Sequence, residues 1–235
     1  MRHPIAVLSM CCLCSLLIQT GAAEDREWPV LVDEHFDGHQ LSGWAATDPG
    51  AWRLEVQGEG HVLHQFQQSR VQTPVRSPFN RCMLRGHMVG DFQLDVDVQS
   101  TARDYPHRSL CLFFGYQDPA HFYYVHLGQR ADDHANQIFI VNEAPRTRIS
   151  TKTTAGTPWD NEWHHVRITR DASRGSIAVF FDDLQTPVMT AADTTFAWGE
   201  VGLGSFDDTG RFDNVVLRGR AVATANLKSP VVSRQ

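Results

Sequence analysis

Apolar and polar positions alternate with a period of two along much of the chain. Phe92-Gln-Leu-Asp-Val-Asp-Val98 carries an apolar side chain at every second position. In Trp163-His-His-Val-Arg-Ile-Thr-Arg170, His164, Val166 and Ile168 oppose Trp163, His165, Arg167 and Thr169. Successive side chains of a strand point to opposite faces, so both runs predict strands with one buried and one wet face. Helical periodicity is almost absent. Runs rich in Val, Ile, Phe, Tyr and Thr predict strands over 52–56, 61–66, 92–99, 109–116, 121–127, 137–142, 163–170, 176–181, 200–206 and 211–218. The segment 28–36 reads as a first strand paired with the last. Two runs break the alternation: Leu110-Cys-Leu-Phe-Phe114 and Phe122-Tyr-Tyr-Val-His-Leu127 carry apolar or aromatic groups on both faces. Such strands are covered on both sides or present a sticky open face.

The breaks between strands have turn chemistry. Gly58-Glu59-Gly60 and Asp208-Thr209-Gly210 close hairpins, Asp118-Pro119 interrupts two aromatic strands, and Asp171 to Gly175 is a polar turn. The pattern predicts an all-β sandwich or barrel, with no internal repeat.

The ends read differently. Arg2 and His3 precede an apolar run over 5–18, then small residues and Glu24. That order is expected of a secretory signal peptide cleaved after Ala23, giving a secreted or periplasmic protein. Residues 24–221 then form one domain, and 222–235 a disordered tail. With Arg2 removed, 20 basic side chains face 27 acidic ones. This balance argues against nucleic acid or an anionic membrane as partner, and the chain is expected to be a monomer. Cys82 and Cys111 are the cysteines beyond the leader. One disulfide and two free thiols both fit their spacing.

The C-terminal half carries a family resemblance. Trp163-His-His-Val-Arg-Ile-Thr-Arg170, Ile177-Ala-Val-Phe-Phe-Asp-Asp183, Pro187-Val188, Gly199-Glu-Val-Gly-Leu-Gly-Ser-Phe206 and Phe212-Asp-Asn-Val-Val216 follow one another. This order resembles the concanavalin A-like lectin/glucanase superfamily. Within it, the chain is similar to the laminin G-like and 3-keto-disaccharide hydrolase-like domains of secreted bacterial proteins, over about 29–220. The resemblance implies a two-sheet antiparallel jelly-roll sandwich whose concave sheet holds an oligo- or polysaccharide. It leaves open a binding domain, a polysaccharide lyase or glycoside hydrolase, and a structural or adhesion module.

Candidate residues follow from face and chemistry. Phe122, Tyr124 and His126 share one face of their strand, and a ring, a phenol and an imidazole suit a sugar groove. His134, Asn136 and Arg148 come from the adjoining hairpin and would add directional contacts. His126 or Tyr124 would transfer the proton in a catalytic version. Nearby His107, Arg108, Arg146 and Lys152 are basic residues able to grip an acidic sugar or remain loop charges. Asp95 and Asp97 share a face with neutral Gln99. They depart from the three-carboxyl glucanase motif and read as the solvent face of an edge or outer strand. Trp163 is expected to pack, whereas Trp159 is a candidate rim platform. The resemblance also implies a possible calcium ion between the first and last strands, at Asp33 and Asp213.

Overall fold

The structure, a computed structural model, describes residues 28–223. The segment expected to be a signal peptide and nearly all of the expected tail lie outside the described residues. In chain order the strands are β1 Val30–Glu34, β2 Trp44–Ala46, β3 Trp52–Gln57, β4 Gly60–Gln65, β5 Asn80–Leu84 and β6 Val89–Ser100. They continue with β7 Ser109–Asp118, β8 His121–Gly128, β9 Gln137–Asn142, β10 Thr147–Arg148 and β11 Ser150–Thr153. The last are β12 His164–Asp171, β13 Ser176–Phe181, β14 Met189–Ala192, β15 Glu200–Ser205 and β16 Gly210–Ala221.

These strands form two antiparallel sheets. The nine-stranded sheet runs β11-β14-β13-β12-β6-β16-β4-β3, with β1 also paired to β16. The seven-stranded sheet runs β10-β9-β8-β7-β15-β5-β2. Each run expected from alternation is a strand, within a few residues at its ends. The first strand does pair with the last, Asp33 opposite Val216. Five strands lack a legible pattern: β2, β10, β11 and β14 are short, and β5 opens with buried Asn80 and Arg81.

The core lies between the sheets. Leu94, Val96 and Val98 of β6 and Val166 and Ile168 of β12 belong to one cluster with Leu110, Leu112 and Phe114 of β7. Tyr123, Val125 and Leu127 of β8 complete it. Burying each such side chain contributes about 1.5–3 kcal/mol, so the alternating positions dictate which face turns inward. The doubly apolar runs β7 and β8 have a simple cause. Their other faces form a second buried cluster with Met83, Cys111, Phe113, Phe122, Tyr124 and Phe139, against which Val75 and Phe206 pack.

Both described cysteines are free and buried. β15 separates their strands, with Leu203 opposite Cys82 and Gly204 opposite Cys111. Cys82 faces the inter-sheet core and Cys111 the outer cluster, so the thiols point to opposite sides. Burial pushes both thiols above their usual pKa, which makes them poor nucleophiles.

Candidate functional site

The pleat of β8 sets Phe122, Tyr124 and His126 on the outer face of the seven-stranded sheet. Phe113 arrives from β7 and Phe139 from β9. Tyr124 stacks on Phe139 with centroids 5.0 Å apart and lies 6.0 Å from Phe113. This row is covered. Phe122 and Tyr124 are 0% exposed and His126 6%. Val75, from the segment 67–79, packs on the row. The Arg146 guanidinium lies 4.4 Å from the Phe206 ring centroid and 5.4 Å from that of Phe139. The Arg146 amide donates to the Arg76 carbonyl at 3.1 Å, which ties the covering strap to the turn after β9.

Several polar atoms in this layer lack partners. Tyr124 Oη, His126 Nε2, and Arg146 Nε and Nη1 are buried without a hydrogen bond among the described residues. His126 Nδ1 donates to the His134 carbonyl at 3.0 Å, so the neutral ring turns a bare Nε2 lone pair into the layer. Burial, reinforced by the Arg146 charge, lowers the His126 pKa to about 4. Burial likewise holds the Tyr124 phenol well above its usual range. An unsatisfied buried polar group costs about 1–3 kcal/mol, so such atoms mark a place where a water or a ligand hydroxyl belongs.

The other expected residues are distributed differently. His134 is exposed beside this layer and supplies the carbonyl just named. Asn136 is fully buried in left-handed backbone, φ 54°. Its amide nitrogen donates to Thr153 Oγ1 and the Thr154 carbonyl, both at 3.1 Å, and its oxygen accepts from Thr157 Oγ1 at 2.9 Å. Arg148 is exposed and pairs with Asp133 at 3.0 Å. Arg146, legible in the sequence only as one loop charge among several, is the cation over the rings. Arg108 is not a free grip: it is buried and donates to Ser100 Oγ and the Ser100 carbonyl at 2.9 and 2.8 Å. Trp159 is a core residue, not a rim platform, with Nε1 donating to the Leu127 carbonyl at 2.7 Å.

The outer face of the nine-stranded sheet carries a second polar constellation. β6 is a central strand there, not an edge, because β12 and β16 flank it. Asp95 is 3% exposed and accepts from Arg167 Nε at 2.7 Å and His165 Nε2 at 2.9 Å, with Arg218 at 3.4 Å. His165 Nδ1 meets Asp97 at 2.7 Å. The bonds to Asp95 and Asp97 outweigh burial and raise the His165 pKa to about 9. For Asp97, burial pushes upward, but bonds from His165 and Asn214 hold the carboxyl below its usual range. Asn214 sits in left-handed backbone, φ 48°, at an irregularity in the β16–β6 pairing. Its Nδ2 donates to Asp97 at 2.8 Å and its Oδ1 accepts from His35 Nδ1 at 2.7 Å. Beside this network is an open cleft of about 340 Å³, lined by Asp37, His61, Asp97, Trp163, Asp213 and Asn214 among others. Trp163 is thus half-buried at a cleft wall rather than packed in the core.

For calcium, β1 and β16 do adjoin, but Asp33 turns to His35 at 3.2 Å while Asp213 lines the cleft. Among the described residues no group of three or more carboxylate, imidazole or thiolate side chains is placed to hold a metal ion. This donor set does not fit calcium, which wants six to eight oxygens.

The sequence model of the 3-keto-alpha-glucoside-1,2-lyase-like domain matches residues 32–218. This chain belongs to that family. Its fold is a two-sheet antiparallel jelly-roll sandwich, and solved structures share it. The carbohydrate-binding module CBM66 from Bacillus subtilis superposes with a TM-score of 0.55 at 19% identity, covering 77% of this family member and 98% of the module. A protein of unknown function with a galectin-like fold, also from Bacillus subtilis, gives 0.53 at 11% identity over 84% and 99%. A putative glycosyl hydrolase from Parabacteroides distasonis gives 0.51 at 14% identity over 80% and 100%. Among curated proteins, none matches this chain. No helix among the described residues is long and apolar enough to cross a membrane.

Proposed function

We propose that this chain is an exported carbohydrate-binding domain. The saccharide is held on the outer face of the seven-stranded sheet, at Phe122, Tyr124, His126 and Arg146, with His134 and Arg148 flanking. The observation that carries this reading is the set of buried, partnerless polar atoms on Tyr124, His126 and Arg146, within one aromatic layer. Aromatic faces beneath, with donors and an acceptor beside them, answer the C–H faces and hydroxyls of a sugar. Entry requires the 67–79 strap to yield, because the rings are covered at rest. The family match and the likeness of the fold to carbohydrate modules support the same class of ligand.

Binding is favoured over cleavage by the site's acid–base properties. A general base works best with a pKa near the operating pH. His126, at about 4, is a weak proton acceptor, and the raised Tyr124 phenol is a still poorer donor of its proton. A flat hydrophobic adhesion surface has little support, since the large exposed apolar side chains among the described residues are Val30 and Val56. The test is calorimetric titration of the full chain with a panel of neutral and acidic oligosaccharides, with parallel assays for new reducing ends and for unsaturated uronate. Tyr124→Phe and His126→Ala are each expected to weaken the bound glycan about tenfold, the value of one well-placed hydrogen bond, with no product formed. Binding unchanged in both variants would remove this site; turnover abolished by His126→Ala would replace binding with catalysis.

A further inference from the structure

Two guanidinium groups lie in the covered aromatic layer, and neither has a counter-ion. Arg81 of β5 is 2% exposed, with its guanidinium carbon 5.5 Å from the Phe122 ring centroid and 6.0 Å from that of Tyr116. Its Nη1 donates to the Pro78 carbonyl at 2.7 Å, but its Nε is buried without an acceptor. Arg146 stands at the other end of the row Phe122, Tyr124 and Phe139. Its Nη2 reaches the His134 carbonyl at 3.4 Å, and its Nε and Nη1 are buried without acceptors. Among the described residues neither arginine forms an ion pair with an aspartate or glutamate.

The opposite sheet answers its cations. There Arg167 and Arg218 meet Asp95, and Arg53 and Arg211 meet Glu55. In the aromatic layer the acids are already taken. Glu200 and Asp118, whose charges act on Tyr116, are held by Arg85 at 2.7 Å and His121 at 2.8 Å. The charged side chains acting on the Tyr124 phenol are Arg146 and Arg76, both cations. Burial lowers the Arg81 pKa, and the Tyr116 phenol, not a carboxylate, opposes it. Withdrawing a cation from water is costly unless an anion and further hydrogen bonds compensate. Ring faces and one carbonyl answer part of each charge. The bare N–H groups call for an acceptor that is itself negative, and a guanidinium fork matches carboxylate and sulfate oxygens alike. The chain as a whole is acidic, so this attraction is local to the layer.

We propose that the saccharide of this layer is acidic, carrying at least two carboxylate or sulfate groups, one held by Arg81 at the Phe122 end and one by Arg146 at the Phe139 end. The inference rests on the aromatic layer being the saccharide site; it adds the charge of the ligand and assigns Arg81 to its binding.

The experiment titrates the full chain at about pH 7, where uronates are ionised. The probes are tetragalacturonate, its fully methyl-esterified form, a sulfated galactose tetrasaccharide and its unsulfated form. At least one acidic sugar is expected to bind about tenfold or more tighter than its neutral form, and to weaken as salt is added. Which one does so separates carboxylate from sulfate. Arg81→Gln and Arg146→Gln are each expected to lower that affinity about tenfold and to narrow the acidic-to-neutral ratio. Arg174→Gln, an equal charge change in the turn between β12 and β13, is expected to alter neither. Equal binding of acidic and neutral forms in both pairs, or an acidic preference that survives both arginine variants, would overturn the inference. A neutral sugar whose affinity then falls in Tyr124→Phe would keep the saccharide site and remove only its charge; binding by none of the four would remove both. If Arg81→Gln does not fold, Arg146→Gln and the salt series on the wild-type chain decide.

Discussion

Asp95 shows how much one side chain can organise on a sheet face. Its carboxylate is buried, and burial alone would raise its pKa, yet bonds from His165, Arg167 and Gln93 hold it below the usual range. Removing it strands three cationic side chains against one another. Asp95→Ala is expected to cost about 3 kcal/mol, the scale for breaking a buried ion pair from one side. Urea denaturation measures this, and a loss under about 1 kcal/mol would show that the network is solvated and dispensable. The sequence made part of this legible. Alternation places Asp95, Asp97 and Gln99 on one face, as the structure has them. It could not show that the strand is central, because the side chains that answer Asp95 lie 70 and 123 residues further along, on β12 and β16. The same limit hid Arg146, whose role depends on β9 and β15 bringing Phe139 and Phe206 beneath it.

At the level of elements, the strap and the β16 irregularity shape the two faces. The segment 67–79 contains Pro74 and Pro78 and no alternating run, so it reads as a connection, and nothing local says what it covers. Sequence alone left two options for the doubly apolar β7 and β8, a sticky face or a second cover, and the strap is that cover. Asn80, fully buried, fixes its ends: its oxygen accepts from the Ser69 amide at 2.6 Å, and its nitrogen donates to Ser205 Oγ at 3.1 Å and the Phe206 carbonyl at 2.8 Å. Asn80→Ala is expected to destabilise the fold by about 2 kcal/mol and to speed amide exchange in 67–79 more than elsewhere. Uniform exchange across the chain would show that Asn80 serves the whole sheet rather than the strap. On β16, the left-handed Asn214 aims its amide at both Asp97 and His35. Asn214→Ala loses the amide and also keeps a Cβ where positive φ is costly; Asn214→Gly loses only the amide. The glycine variant is expected to melt above the alanine one by the equivalent of about 1 kcal/mol. Equal melting points would mean that the backbone there relaxes on substitution.

For the whole molecule, the buried histidines and the carboxylate-bonded His165 impose opposite pH dependences. His126 is neutral in the fold, with its pKa lowered from 6.5 to about 4 mainly by burial. As pH falls through 6.5 the unfolded chain takes up a proton that the folded chain refuses until about 4, so stability declines across that window. The full loss is roughly 3 kcal/mol, at 1.36 kcal/mol per pKa unit. His64, whose pKa burial also lowers against the pull of Glu55, acts in the same direction. His165 does the reverse. Its pKa is raised to about 9 by Asp95 and Asp97, so its stabilising charge is fully present below 6.5 and is lost as pH rises through about 9. With about a third of its side chain in solvent, that contribution is screened and the alkaline limb is the shallower one. Glu55, held near 2 by Arg53, His64 and Arg211 against burial, releases its share only in stronger acid. The denaturation midpoint is therefore expected to peak between about pH 6 and 7, falling on the acid side first through His126. His126→Asn should flatten the acid limb between pH 6.5 and 4 and leave the alkaline limb alone, while His165→Gln should do the converse. An acid limb unchanged in His126→Asn would mean that this imidazole is solvated in the fold, and the covered polar layer proposed for the saccharide would then stand open to water at rest.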